Sequence, residues 1–77
     1  MRLSQLKKDD TGVIAGVSGE MRFVSRATSI GLTPGCRVQM IKNEKNRPLL
    51  VCSRDTMIAL NRMECDNIEV EVKNSGK

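Results

Sequence analysis

The sequence predicts a mainly β fold, a small SH3-like barrel of about five strands with one inserted α-helix and a short helical turn before the last strand. Three observations point there. Short β-branched and apolar runs recur between clear turn signals, only one long stretch has helical spacing, and a chain of 77 residues has room for one small core. The domain is expected over residues 1–73, with 74–77 (Asn74-Ser75-Gly76-Lys77) as a disordered tail.

Leu3 and Leu6, three apart, form a short apolar clip ahead of Lys7-Lys8-Asp9-Asp10. Thr11-Gly12 punctuates, and Val13-Ile14-Ala15-Gly16-Val17 reads as a first strand wetted on neither face, which favours a closed or heavily covered sheet. Gly16 within it signals a bend or a close backbone approach. Ser18 is a candidate helix cap. From Met21 to Ile30, the residues Phe23, Val24, Ala27 and Ile30 make one buried helical stripe, with Arg22 and Arg26 together on another face. Gly31 stands where a left-handed residue ends a helix, and Leu32 is placed to pack back on the last turn. Thr33-Pro34-Gly35 then predicts a type II turn.

Cys36 to Lys42 alternates as a half-buried strand, and the polar run 43–47 makes a mobile hairpin loop. Pro48 to Ser53 returns as a strand, Arg54-Asp55 turns, and Thr56 to Leu60 is another short strand. Asn61 to Asp66 has length for about one helical turn. Ile68, Val70 and Val72 alternate with Glu69, Glu71 and Lys73 as the closing strand.

Composition narrows function by what it lacks. With no histidine, a serine, threonine or cysteine nucleophile loses its usual activating base, so the chain is read as having no catalytic activity. Cys36, Cys52 and Cys65 are widely spaced, form no Cys-x-x-Cys pair and are read as reduced thiols in strand and core positions, so no metal or cofactor is assigned. Residues 1–54 carry ten basic and four acidic side chains (+6), residues 55–77 three and five (−2), summing to +4. The basic first part suits phosphate contact, but Phe23 is the one aromatic ring, too few for the stacking platforms of single-strand binders, and nucleic acid is not the expected partner.

Leu3-x-x-Leu6, Gly12-x-Ile14, Arg26 ahead of Ile30-Gly31-Leu32-Thr33-Pro34-Gly35, Ile58-Ala59-Leu60 and the closing Ile68-Glu69-Val70 together resemble the FeoA family, ferrous iron transport protein A, over roughly residues 1 to 72. Family members often have glycine where this chain has Asp9 and alanine where it has Cys65, and Phe23 and Thr28 also depart from the common helix residues. The resemblance implies a cytoplasmic accessory of ferrous iron uptake that has no catalysis of its own. Its implied partner is FeoB, the membrane iron transporter with a cytosolic GTPase domain, reached by protein contact and without membrane insertion.

A docking cleft is expected between the inserted helix and the sheet. Arg22 and Arg26 would orient the partner there, and Met21, Leu32 and Met57 would give adaptable apolar contact. The alternative is an SH3-like regulatory domain related to the C-terminal module of metal-dependent transcriptional repressors. Strand edges also allow a homodimer.

Overall fold

The computed structural model describes residues 1–72, so Lys73 and the tail expected at 74–77 lie outside the described residues. A 3-10 turn at Leu3–Gln5 leads into β1 (Thr11–Val17), α1 (Met21–Ser29), β2 (Arg37–Lys42), β3 (Leu49–Ser53), β4 (Thr56–Leu60), α2 (Arg62–Asp66) and β5 (Ile68–Val72). All five strands form one antiparallel sheet in the order β4-β3-β2-β1-β5. The register shifts between Ile14 and Gly16 on β1 and between Met40 and Lys42 on β2, two irregularities of the kind that bend a sheet round a small core.

That core consists of the inner face of the strands, Ile14, Val38, Met40, Leu49, Val51, Leu60, Ile68 and Val70, with Leu3, Leu6, Leu32 and Cys65 packed over it. The leucine clip therefore works as a plug, and both of its side chains are fully buried. Asn43 holds it from the far side, its amide donating to the carbonyls of Ser4 (3.0 Å) and Leu6 (2.7 Å). The loop expected to be mobile is thus tethered at its base.

Several local expectations need correction. β1 starts at Thr11 and includes Gly12, whose backbone lies so close to β5 that a Cβ would sit 3.1 Å from the Glu71 carbonyl. The strand is not dry on both faces: Gly12 and Ile14 are buried, Ala15 is exposed, and the outer face stays open. Nor is the sheet closed by hydrogen bonds, for among the described residues no ladder joins β4 to β5. The β5 edge is instead covered locally, with the Val70 N–H donating to the Met1 carbonyl (2.7 Å) and Arg2 bridging Glu69.

Ser18 does not cap α1. Its hydroxyl donates to the Asn67 carbonyl (3.2 Å), Gly19 turns the chain at φ +106°, and the helix begins after Glu20. Only Ala27 of the expected stripe is fully buried; Phe23 and Val24 are half-buried, and Ile30 is exposed because it is the last residue before the chain reverses. The reversal itself follows the sequence. Gly31 adopts φ +92°, the Leu32 N–H donates to Ala27 (2.8 Å) and the Gly31 N–H to Thr28 (3.1 Å), the two bonds of a Schellman motif. Next, the Cys36 N–H closes on the Thr33 carbonyl (3.0 Å) with Gly35 at φ +94°, as a type II turn requires.

Two departures from the family pattern find a structural reason. Asp9 takes φ +73°, a left-handed conformation that glycine adopts without strain and aspartate tolerates better than most residues. Cys65 is fully buried in the core cluster, where a cysteine packs as a small apolar side chain.

Candidate docking surface

The five residues expected to meet a partner do not share one cleft. Leu32 is completely buried beneath α1, because the Schellman turn folds it onto the core, and it has no surface to offer a partner. Met57 is exposed on β4, an end strand of the sheet, two strands away from β2 and three from β1, the strands that α1 connects. Met21 and Arg22 are exposed at the start of α1. Arg26 pairs with Glu64 of α2 and lies 5.9 Å from the Phe23 ring centroid, so it fastens the two helices together.

The outward helical surface has a contributor that sequence reasoning missed. Met63 of α2, between Arg62 and Glu64, is 77% exposed, and Met21 at the start of α1 is 84% exposed. α2 is well specified: the Asn61 side chain accepts from the Glu64 N–H (2.7 Å) while Glu64 accepts from the Asn61 N–H (3.1 Å). The signal was present as Asn61-x-x-Glu64, a capping pattern that puts Met63 on an outer position. Glu64 thus both starts α2 and holds α1.

Among the described residues, three of the better-formed surface concavities are lined by residues outside α1. One, of about 590 Å³, lies on the outer face of the sheet between Thr11, Arg37, Gln39, Cys52 and the Arg54-Asp55 turn. Cys36 borders it. The Thr33 hydroxyl, 3.3 Å from the sulfur, and the Thr33 backbone hold the Cys36 thiol below its usual range against the opposing effect of burial, and Arg54 adds to the lowering. Cys65 goes the other way, its burial pushing the thiol up to about 12. A second hollow gathers lysines and Arg62 below the β2–β3 loop, and a third is a shallow neighbour along Arg47 and Pro48. Among the described residues no group of three or more His, Cys, Asp or Glu side chains is placed to hold a metal ion. No described helix is long and apolar enough to cross a membrane.

Residues 1–72 match the FeoA domain family. The chain belongs to that family. FeoA domains are associated with ferrous iron transport. Among solved structures, the FeoA protein of Chlorobium tepidum is 23% identical, with a TM-score of 0.90 over 100% of this chain and 74% of that one. The Stenotrophomonas maltophilia FeoA, solved with zinc and described as a prokaryotic SH3-domain protein, is 26% identical with a TM-score of 0.82 over 92% and 89%. A manganese-dependent transcriptional repressor is 19% identical with a TM-score of 0.87 over 95% of this chain and 41% of the repressor, a likeness of fold alone. No curated protein matches the chain significantly.

Proposed function

We propose that this FeoA-domain chain is a non-catalytic accessory of ferrous iron uptake that docks on the cytosolic part of a FeoB-type transporter and modulates it. The FeoA match over residues 1–72 carries the reading. The Stenotrophomonas relative, described as a candidate activating factor of ferrous iron transport, points the same way. Docking is assigned to the outward surface of α1 and α2, where exposed Met21 and Met63 offer adaptable apolar contact and Arg22 offers charge. Arg26 is a positioning residue, through its pair with Glu64.

Titration of the purified chain with the transporter's cytosolic domain tests this. Met21→Glu with Met63→Glu is expected to weaken binding at least tenfold, whereas Met57→Glu leaves it unchanged. Equal binding by all three proteins removes the helical face, and no binding by the native chain removes the docking reading.

The likeness to the manganese-dependent repressor supports a second reading, a regulatory SH3-like module. An adjoining repressor in the same reading frame would favour it. A homodimer would form along the open edge of β4, Thr56–Leu60, and light scattering across a dilution series distinguishes that state from a monomer.

A further inference from the structure

Lys7, Lys8, Lys45 and Arg62 line one solvent-open hollow of about 640 Å³, completed by Asn43 and Asn46. They come from three separate parts of the chain: the turn after Leu3–Gln5, the loop between β2 and β3, and the start of α2. No carboxylate lines the hollow. The acids nearest in sequence are turned to other tasks. Asp10 accepts from the Lys7 backbone N–H at 3.0 Å, Glu44 lies 3.8 Å from Arg47, and Glu64 pairs with Arg26. Among the described residues none of the four cations takes part in an ion pair. Four cations gathered round a hollow with no carboxylate in its lining repel one another, and an anion placed between them relieves that repulsion.

One wall of the hollow is preset. A single Arg62 nitrogen donates both to the Asn43 side-chain oxygen (2.9 Å) and to the Glu44 carbonyl (3.1 Å). Asn43 is itself fixed by its two bonds to the Ser4 and Leu6 carbonyls, which ties the guanidinium to the buried leucine plug. Arg62 keeps its other N–H donors in a planar fork that suits phosphate oxygens, and the lysines add point charges around it.

We propose that this hollow binds a ligand carrying two or more adjacent phosphate groups. Such a group concentrates three or four negative charges in a few ångströms, matching the cation count. Carboxylates on one face of an extended acidic segment stand roughly 7 Å apart and spread the same charge more thinly. Adjacent phosphates occur on free small molecules and on phosphorylated lipid headgroups, and the site recognises what the two share. The proposal stands independently of the docking partner.

The test is an amide-resolved NMR titration of the full chain with sodium tripolyphosphate at low salt. Saturable shifts confined to Lys7, Lys8, Asn43, Lys45, Asn46 and Arg62 are expected. The Lys7→Gln/Lys8→Gln/Lys45→Gln variant, which leaves the Arg62–Asn43 brace intact, is expected to bind at least about tenfold more weakly with the rest of its spectrum unchanged. Vesicles bearing bisphosphorylated inositol headgroups form the second arm; shifts at the same residues there support the site and assign its source to the membrane surface. Shifts spread equally over Arg22, Arg37 and Arg54, an unchanged affinity in the triple variant, or equal affinity for an oligoglutamate peptide would overturn the proposal.

Discussion

Cys65 makes the stability of this fold depend on alkaline pH in a calculable way. The thiol is fully buried on α2, and burial first, then the Glu64 charge, raises it from 9.0 to about 12, with Arg62 opposing only in part. In the unfolded chain the same thiol ionises near its ordinary value. Between about 9 and about 12 the folded state therefore keeps a proton that the unfolded state has released, and stability falls as pH rises. Below that window the contribution is constant. The slope approaches its full value of about 1.4 kcal/mol per pH unit once the unfolded thiol is ionised, so raising pH from 9 to 11 removes roughly 2 kcal/mol, a large share of what a small domain has.

Cys65→Ala isolates this effect from the lysines that titrate in the same range. At neutral pH the variant is expected to be about 1–2 kcal/mol less stable, for lost packing, but its stability should decline less steeply above pH 9, so the two curves converge by about pH 11. Urea denaturation under reducing conditions at half-unit intervals measures both. Parallel curves for the two proteins from pH 7 to 11 would refute the reasoning. Cys36 has the opposite sign: its thiol is lowered in the fold, chiefly by the Thr33 hydroxyl, so its contribution to stability grows as pH rises toward the ordinary thiol value.

Three further outcomes follow from backbone and packing. Gly31→Ala has open space for its Cβ, so only the positive φ opposes it and the expected loss is about 1–2 kcal/mol; Gly19→Ala also drives a Cβ to 2.9 Å from the Asn67 amide and should cost more, both read from urea midpoints. Arg54 and Asp55 take φ +52° and +64° in the β3–β4 turn, a type I′ geometry, so Arg54→Asn/Asp55→Gly should raise stability by about 1 kcal/mol in thermal melts. Among the described residues the buried Ser53 hydroxyl has no hydrogen-bond partner, and Ser53→Ala should be neutral or stabilising by up to about 1 kcal/mol in urea unfolding, whereas a destabilisation of about 1 kcal/mol or more would show the hydroxyl to be satisfied.

The strands and the C-terminal end of α1 were legible because their signals are local. Alternation at Val38/Met40 and Ile68/Val70 names a buried face directly, and Gly31 and Gly35 both take the positive φ that their turns demand. Reading failed where two local solutions compete. Ser18 is as good a cap as any by type, but Asn67 draws its hydroxyl across to α2. Ile30 continues the helical stripe by spacing, yet the stripe ends a turn earlier because Leu32 takes the core position. The same displacement took Leu32 out of the expected docking set. The fixed Arg62 and the tie between α1 and α2 were missed because each rests on a partner far along the chain: Asn43, 19 residues from Arg62, and Arg26, 38 residues from Glu64.

Sequence alone determined the fold class and the turns, because backbone preferences and hydrophobic period act over a few residues and need no knowledge of distant ones; the family came from the resemblance of its motifs, which the match over residues 1–72 bears out. It also excluded histidine-based chemistry outright. Only the tertiary structure decided which surfaces exist. Exposure and the clustering of charge depend on which segments come to lie side by side, and Lys7, Lys45 and Arg62 share a hollow only because Asn43 ties the β2–β3 loop to the leucine plug.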